Sequence, residues 1–181
     1  MSEIKINAIS KDGYTLGEGP HWNEEDQTLL SVDILHGNIH RYFLQTQRMQ
    51  NAHIDDGGTD TTVSFIIPVE GAKDTFVIGL RTSVALIKWC PTEPDNQIIK
   101  PIPLLALDST QAQRVKFNDA KCDNKGRLYV GTMDTDFRKN MKNIWVLFTL
   151  SILTSKYRGL RLTLRYRMDW PGVETTKRFI T

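Results

Sequence analysis

The sequence predicts an all-β protein, and three observations support this fold class. Short runs rich in valine, isoleucine, phenylalanine and tyrosine recur along the first 142 residues of the 181-residue chain. Glycine, asparagine and aspartate separate these runs, as they do in tight turns. No long stretch carries the three-to-four-residue spacing of apolar side chains that indicates an amphipathic helix. We therefore expect several antiparallel strands and little helix.

The strand-forming runs follow one another in a regular order. Leu29–Asp33 and Ile39–Phe43 flank a turn around Gly37, which predicts an antiparallel hairpin. Four further strands are predicted at Val63–Val69, Thr75–Leu80, Val84–Trp89 and Arg127–Thr132. His53–Thr62, rich in Asp, Gly and Thr, is expected to be a surface loop. Cys90–Gln113 contains four prolines and is expected to be a long connection that forms a lid over one end.

Three segments share one plan of strand, polar turn and strand. They are Glu18–Asp33, Phe65–Leu80 and Asn118–Met133. Their second strands carry the apolar anchors Leu29, Phe76 and Leu128, which lie 47 and 52 residues apart. Since a four-stranded propeller blade recurs about every 40–50 residues, we predict an incomplete β-propeller of about three to four blades. Trp22 and Trp89 are expected to pack between blades.

Composition indicates a globular protein of the cytoplasm. Apolar residues make up 40% of the chain and charged residues 24%, which is ordinary for a soluble domain. Cys90 and Cys122 are too few for a disulfide framework, so we expect buried free thiols in a reducing compartment. No signal peptide is visible in Met1–Tyr14. The longest apolar run, Ile144–Leu153, is too short to cross a bilayer, so no membrane association is expected.

The balance of charge divides the chain into two parts. Residues 1–142 carry 16 basic and 19 acidic side chains, a net charge of −3, whereas residues 143–181 carry seven basic and two acidic ones, a net charge of +5. This reversal predicts a boundary between a propeller-like part, 1–142, and a divergent basic tail, 143–181. The tail alternates arginine with leucine rather than lysine with glycine or serine, so no nucleic-acid partner is expected.

Two oxygen-bearing side chains hold equivalent places in the first and third repeats. Glu18 lies 11 residues before Leu29, and Asn118 lies 10 residues before Leu128. Both should therefore stand at the same end of an innermost strand and face the axis of the propeller. Oxygen ligands that converge on an axis favour a hard cation. The plainer alternative for Glu18, which sits between two glycines, is a solvated turn residue.

The residues around these positions resemble one known family. The segments that carry the resemblance are Gly17–Trp22, Leu30–Ile34, Phe117–Asp123, Gly126–Tyr129 and Gly131–Met133. They are similar to the opening part of the family that comprises regucalcin (senescence marker protein), gluconolactonase and luciferin-regenerating enzyme, over residues 10–140. The resemblance implies a six-bladed propeller with one divalent metal ion on its axis.

The resemblance implies roles for four residues. Glu18 matches a metal ligand, and Asn118 matches an asparagine that contacts the substrate beside the metal. Lys116 stands where the family usually has a substrate-binding arginine, and lysine keeps the charge but not the planar fork. Asp136 is the nearest match to an acidic residue that contacts the substrate. No residue of this chain is assigned as catalytic, because the family's metal-ligating aspartate from a later blade has no recognisable counterpart here.

The chemistry implied by the resemblance is metal-dependent hydrolysis of sugar lactones, together with calcium binding. A divalent ion, Ca²⁺ or Zn²⁺ with Mn²⁺ or Mg²⁺ as alternatives, polarises the lactone carbonyl and lowers the pKa of a bound water. Two other functions remain open: a non-catalytic calcium-binding regulatory protein, and an inactive gene fragment. The partner is expected to be a small sugar lactone. The residues leave its identity, the native metal and the oligomeric state unassigned.

The family pattern stops after Asn143, and two explanations compete. In the first, a frame shift or a gene-model error has rewritten residues 143–181. Codons permitted for Trp145–Leu150 and Arg167–Pro171, read two nucleotides late, can spell family-like segments. In the second, the tail is real, and its alternation of leucine and arginine over Leu160–Met168 is that of an amphipathic edge strand. We favour the first and expect a chain that is cut short, marginally stable and impaired, because an open propeller exposes strand edges.

The frame-shift explanation predicts the nucleotide sequence across codons 143–172. Read two nucleotides late, these codons should encode Gly-Ser-Leu-Tyr-Ser and then Asn-Gly-Leu-Ala-Trp. Sequencing the transcript measures this directly. A transcript that spells neither peptide in the shifted frame would establish the tail as a real segment.

Overall fold

The structure, a computed structural model, describes residues 4–135, 146–151, 163–168 and 178–180. The described strands, in chain order, are β1 (Gly17–Asn23), β2 (Thr28–Asp33), β3 (Asn38–Phe43), β4 (Arg48–Ile54), β5 (Val63–Pro68), β6 (Thr75–Leu80), β7 (Ser83–Lys88), β8 (Gln97–Ile99), β9 (Ile102–Ala106), β10 (Val115–Cys122), β11 (Arg127–Asp134), β12 (Val146–Ser151), β13 (Thr163–Met168) and β14 (Arg178–Ile180). One short helix, α1 (Ser109–Arg114), and a 3-10 turn, Ile34–His36, accompany them. The predicted all-β class is confirmed.

The strands form three sheets. The first sheet has the order β1-β2-β3-β4-β8, the second β5-β6-β7-β9 and the third β10-β11-β12-β13-β14. Neighbouring strands are antiparallel except for β8, which pairs in parallel with β4. Within the described residues the sheets do not close into a ring. Nor does any helix there have the length and hydropathy needed to span a membrane.

The three repeated segments are the antiparallel pairs that begin each sheet. β1 pairs with β2, β5 with β6 and β10 with β11. In each pair the first strand is the inner strand, and the apolar anchor of the second strand pairs with a residue at or near its end. Leu29 pairs with Trp22, Phe76 with Pro68 and Leu128 with Cys122. The repeat predicted from spacing therefore corresponds to one structural unit that occurs once in each sheet.

The second sheet is buried on both faces, which explains its nearly continuous apolar strands. Side chains of a strand alternate between the two faces of a sheet. In β6, Phe76, Ile78 and Leu80 belong to the core shared with the first sheet. Val77 points the other way, into a separate core whose members include Phe117 and other residues of the third sheet. The second sheet thus holds the other two sheets on opposite sides.

A buried tryptophan and arginine lie in the core between the first two sheets. Trp89 is fully buried and meets the Phe76 ring edge-on, with 6.3 Å between ring centroids. The Arg41 guanidinium lies 4.3 Å from the Trp89 ring centroid and donates a hydrogen bond of 2.7 Å to the Trp89 carbonyl oxygen. Burial lowers the Arg41 pKa to about 10, so the group stays charged at neutral pH and is stabilised by aromatic faces. The predicted packing of Trp89 is confirmed, whereas Trp22 is 42% exposed.

Two predictions about the middle of the chain are wrong. The connection Cys90–Gln113 is not a lid, because it contains β8 and β9, which add edge strands to the first and second sheets. It also contains all but the last residue of α1, at whose start the Asp108 carboxylate accepts hydrogen bonds from the Thr110 and Gln111 amides. The helix has no buried residue, so it left no apolar period in the sequence. The thiols were expected to be buried, but Cys122 is exposed and Cys90 half-buried.

The strands beyond residue 142 continue the third sheet. β12 pairs with β11, β13 with β12 and β14 with β13, all antiparallel. The predicted boundary between 1–142 and 143–181 stays a prediction, as does the frame shift.

A glycine in the second sheet makes room for a large ring. Gly79 is the strand partner of Phe65. A methyl group at Gly79 would overlap the Phe65 ring, which is 2% exposed and cannot easily turn away. Gly79 therefore fixes the position of Phe65 between the second and third sheets.

Gly79→Ala should lower the free energy of unfolding by about 1–3 kcal/mol, because it overpacks this contact. Urea denaturation measures the change. Gly13→Ala is the matched control, since a methyl group at Gly13 meets nothing within 4 Å. Equal stability of the two variants would contradict the assigned position of Phe65.

Candidate functional site

The inner strand of each sheet carries a β-bulge. The register shifts between Glu18 and His21 in β1, between Val63 and Phe65 in β5, and between Phe117 and Ala120 in β10. A bulge leaves residues unpaired and turns their side chains in a new direction. The three bulges therefore change the direction of side chains at equivalent points of the three sheets.

The residues of the first bulge suit this irregular backbone. Gly19 has φ +58°, a left-handed conformation that glycine adopts without strain. Pro20 follows, and proline has no N–H to give to a strand partner. The Gly-Pro pair inside a strand was thus a signal of the bulge, which sequence reasoning did not use.

The three bulges surround one cavity of about 520 Å³. Its wall is formed by β1 from Glu18 to His21, by β5 from Ser64 to Ile67 and by β10 from Asn118 to Cys122. The structure therefore brings Glu18 and Asn118 to one cavity, as their equivalent places in the repeat predicted. Glu18 is exposed and Asn118 half-buried.

The other two predicted site residues are placed differently. Lys116 is half-buried, pairs with Met133 across the sheet and is not among the residues that line the cavity. Asp136 lies outside the described residues. Three lining residues that the sequence analysis did not assign to the site are His21, Asp119 and Lys121. Asp119 and Lys121 belong to the Phe117–Asp123 motif, so the motif could have indicated both as residues of the site.

Burial and one neighbouring positive charge keep an imidazole of the wall neutral. Burial, and then the positive charge of Lys121, hold the pKa of His21 below its ordinary value. His21 is therefore neutral at physiological pH and offers one hydrogen-bond donor and one acceptor. Asp119 is exposed, and one of its oxygens accepts a 2.7 Å hydrogen bond from the Ala120 amide. The wall thus presents two carboxylates, an amide, an ammonium group and a neutral ring.

The described residues fit part of a metal centre rather than a whole one. Among them no group of three or more His, Cys, Asp or Glu side chains is placed to hold a metal ion. Glu18 and Asn118 offer hard oxygen donors, but Ca²⁺ takes about six to eight oxygen ligands. The residues described here therefore leave most of the coordination of such an ion unfilled.

The backbone that leads into Glu18 is held by one buried carboxylate. Asp33, 4% exposed at the end of β2, accepts hydrogen bonds of 3.0 Å from the amides of Thr15 and Leu16. The Leu16 carbonyl in turn accepts a 3.0 Å hydrogen bond from the Ile34 amide. Three hydrogen bonds thus fix the chain two residues before Glu18.

Asp33 is charged under all ordinary conditions. Its burial acts to raise the pKa, but hydrogen bonds from His36, Leu16 and Thr15 outweigh burial and hold the pKa below the ordinary carboxyl value. The His36 Nδ1 lies 3.0 Å from the Asp33 Oδ2. Since folding lowers this pKa, Asp33 stabilises the protein fully above the ordinary carboxyl pKa and loses this effect as pH falls through the folded-state value.

Asp33→Ala should lower the free energy of unfolding at neutral pH by about 1–3 kcal/mol, the cost of leaving partly buried donors without an acceptor. The difference from the unchanged protein should shrink in acid, where Asp33 is protonated in both folded and unfolded chains. Thermal denaturation over a series of pH values measures both effects.

Asp12→Ala provides the matched control, because Asp12 is an exposed carboxylate just upstream of the same segment. It should change stability little at any pH. A loss for Asp33→Ala that stays constant into acid would show that the charge of Asp33 is not what holds the segment.

The sequence of the chain is similar to those of known proteins. The sequence model of the SMP-30/gluconolactonase/LRE-like region matches residues 16–162, further along the chain than the expected resemblance. The chain is 30% identical to regucalcin of Gallus gallus over 138 residues, 76% of this chain and 41% of that protein. It is 27% identical to regucalcin of Danio rerio over 141 residues, 78% of this chain and 42% of that protein. The chain thus spans about two fifths of these relatives.

Two solved structures share the fold. A luciferin-regenerating enzyme superposes with a TM-score of 0.61 at 26% identity, over 85% of this chain and 52% of that chain. A regucalcin from Agrobacterium tumefaciens, described as a calcium-binding protein, has the same TM-score of 0.61 at 15% identity, over 88% and 52%. The second likeness concerns the fold alone.

Proposed function

The chain belongs to the SMP-30/gluconolactonase/LRE-like family, and from this membership we propose that its cavity serves the divalent-cation-dependent hydrolysis of sugar lactones. The observation that carries the proposal is the position of Glu18 and Asn118 in the wall of one cavity of about 520 Å³. A cavity of this size accommodates a small organic ligand. The family resemblance expected from the sequence is confirmed.

The proposed architecture is three consecutive blades of a propeller whose axis runs through the cavity. Three features support it: each sheet begins with a strand that lines the cavity, each of these strands carries a bulge, and the second sheet packs between the other two. Such an axis would explain why Glu18 and Asn118, equivalent residues of two sheets, line one cavity.

Each polar residue of the wall has its own proposed role in binding. Glu18 provides a charged oxygen ligand for the cation. The Asn118 amide can donate to one substrate oxygen and accept from a hydroxyl, a combination that suits a polyhydroxy lactone. Lys121 lies at the wall and can balance negative charge on the substrate. The substrate-binding roles of Lys116 and Asp136 stay predictions from the resemblance.

The incomplete set of ligands favours weak binding and slow turnover by this chain alone. Glu18 and Asn118 leave most of a cation's coordination to water, and none of the described residues is assigned as a catalytic base. This observation favours a second candidate function, cation binding without catalysis. Lactone hydrolysis with and without Ca²⁺, Zn²⁺ or Mn²⁺ separates the two functions, and folded, soluble protein would count against an inactive fragment.

Glu18→Gln should weaken Ca²⁺ binding by at least about 10-fold and remove cation-dependent hydrolysis, because it deletes the charged ligand but keeps the shape. Calorimetric titration measures binding, and release of acid from gluconolactone measures hydrolysis. Glu24→Gln is the matched control, since Glu24 is an exposed carboxylate in the turn between β1 and β2.

Equal Ca²⁺ affinity of the Glu18→Gln and unchanged proteins would contradict the assignment of Glu18 as a ligand of the cation. Tight Ca²⁺ binding at one ion per folded monomer would contradict the expectation of an incomplete ligand set.

A further inference from the structure

Two stacked aromatic rings hold the segment before β1 against the first sheet. The Tyr14 ring lies almost parallel to the His40 ring, with 4.1 Å between ring centroids and 13° between ring planes. His40 lies in β3 between Ile39 and Arg41, which enter the core shared with the second sheet, so His40 points to the opposite face. His40 is only 7% exposed. The segment that leads to Glu18 thus forms part of the cover over this histidine.

The Tyr14 ring also lies against the residue that precedes Glu18. A methyl group at Gly17 would come within 2.8 Å of the Tyr14 ring, closer than side chains normally pack. Gly17 is the first residue of β1, where it pairs with Asp33. Contacts therefore run from the His40 ring through the Tyr14 ring to the backbone next to Glu18.

The His40 ring suits this buried place only in its neutral form. Its Nδ1 lies 2.7 Å from the Asn51 Oδ1, so the neutral ring donates its one proton there. Within the described part of the chain, the buried Nε2 of His40 has no hydrogen-bond partner. A second proton would therefore create a buried N–H donor and a positive charge with nothing to accept from them, which is costly.

The groups around His40 make acid the condition that releases the segment. Burial holds the His40 pKa below its ordinary value, although the hydrogen bond to Asn51 and the negative charge of Asp33 act to raise it. Ser31, its partner on β2, is uncharged, and burial raises the Tyr14 pKa, so the phenol stays neutral. An uncovered His40 regains the ordinary pKa of about 6.5 and binds protons more readily, so falling pH below that value favours release.

We propose that His40 is a positioning residue for the cation site: the neutral ring holds Tyr14 and the start of β1 in place, and protonation of the ring releases the segment and displaces Glu18. The inference rests on the proposed function, in which Glu18 binds the cation. His40 is not among the residues that line the cavity, so it acts through Tyr14. Asp33 holds the same segment but keeps its charge to more acidic pH, because its pKa lies below the ordinary carboxyl value.

Hydrogen exchange of the Thr15 and Leu16 amides in the full 181-residue chain tests the proposal. Corrected for the intrinsic effect of pH on exchange, the protection of both amides should fall by up to about 10-fold as pH falls from about 6.5 to about 5.5. In His40→Phe the protection should stay constant, because phenylalanine keeps a flat ring under Tyr14 but takes up no proton.

His53→Phe is the matched control. His53 is an exposed histidine of β4 whose Nδ1 also lies 3.0 Å from a side-chain oxygen, that of Asn38. Because the ring of His53 is open to water, its protonation leaves no buried charge, and the variant should show the same pH response as the unchanged protein.

Substitutions of Tyr14 test the same contact from its other side, and they leave the sheet itself unaltered. Tyr14→Phe should keep the stacked ring and the response to pH. Tyr14→Leu should abolish the response and leave the Thr15 and Leu16 amides less protected at neutral pH.

Calorimetric titration with Ca²⁺ at about pH 7.5 and about pH 5.5 connects release of the segment to the cation site. The affinity of the unchanged protein should fall at least about twofold more than that of His40→Phe, because a smaller fraction of the unchanged chains keeps Glu18 in place.

An equal loss of amide protection in the unchanged protein, His40→Phe and His53→Phe would overturn the proposal. So would a Tyr14→Leu variant that keeps the pH response, or an equal loss of Ca²⁺ affinity in the unchanged and His40→Phe proteins. A chain that binds no Ca²⁺ at either pH contradicts the proposed function, and the amide exchange then decides separately whether His40 holds the segment.

Discussion

The burial of the second sheet on both of its faces is the constraint on which the rest of the molecule depends. Alternate side chains of β6 enter two different cores, so the first and third sheets are fixed on opposite sides of one central layer. This places β5 between β1 and β10. Glu18 and Asn118, which lie far apart in the sequence, consequently reach the wall of a single cavity. Gly79 takes part in this arrangement, because the room it leaves positions Phe65 in the same wall.

Local hydrogen bonds then fix the backbone that leads to Glu18 on the cavity wall. The Asp33 carboxylate holds the amides of Thr15 and Leu16, and the bulge that follows re-aims the strand directly after Glu18. Such preorganisation matters for cation binding, since an ordered ligand loses less freedom when the ion arrives. Preorganisation does not replace missing ligands. Glu18 and Asn118 provide two oxygen donors, which would leave a hard cation mostly hydrated and therefore weakly bound.

The sequence predicted the strands and their repeat because alternation, turn residues and spacing are local properties. Features that depend on contacts across strands could not be predicted in this way. The bulge between Phe117 and Ala120 changes which side chains of β10 reach the cavity, so Lys121 lines it and Lys116 does not. Helix α1 is fixed by its polar cap and has no fully buried residue, so a periodicity argument did not detect it. Trp22 was expected in a core and is exposed, because no described sheet covers its face.

Paramagnetic broadening by Mn²⁺ in a nuclear magnetic resonance titration tests the central claim most directly, and it detects even weak binding. If the three inner strands share one cation-binding cavity, the amide signals of Glu18, Ser64 and Asn118 should broaden together at the lowest Mn²⁺ concentrations. Broadening confined to β1, or centred on the acidic turn at Glu24–Asp26, would contradict the shared site and the arrangement of sheets that creates it.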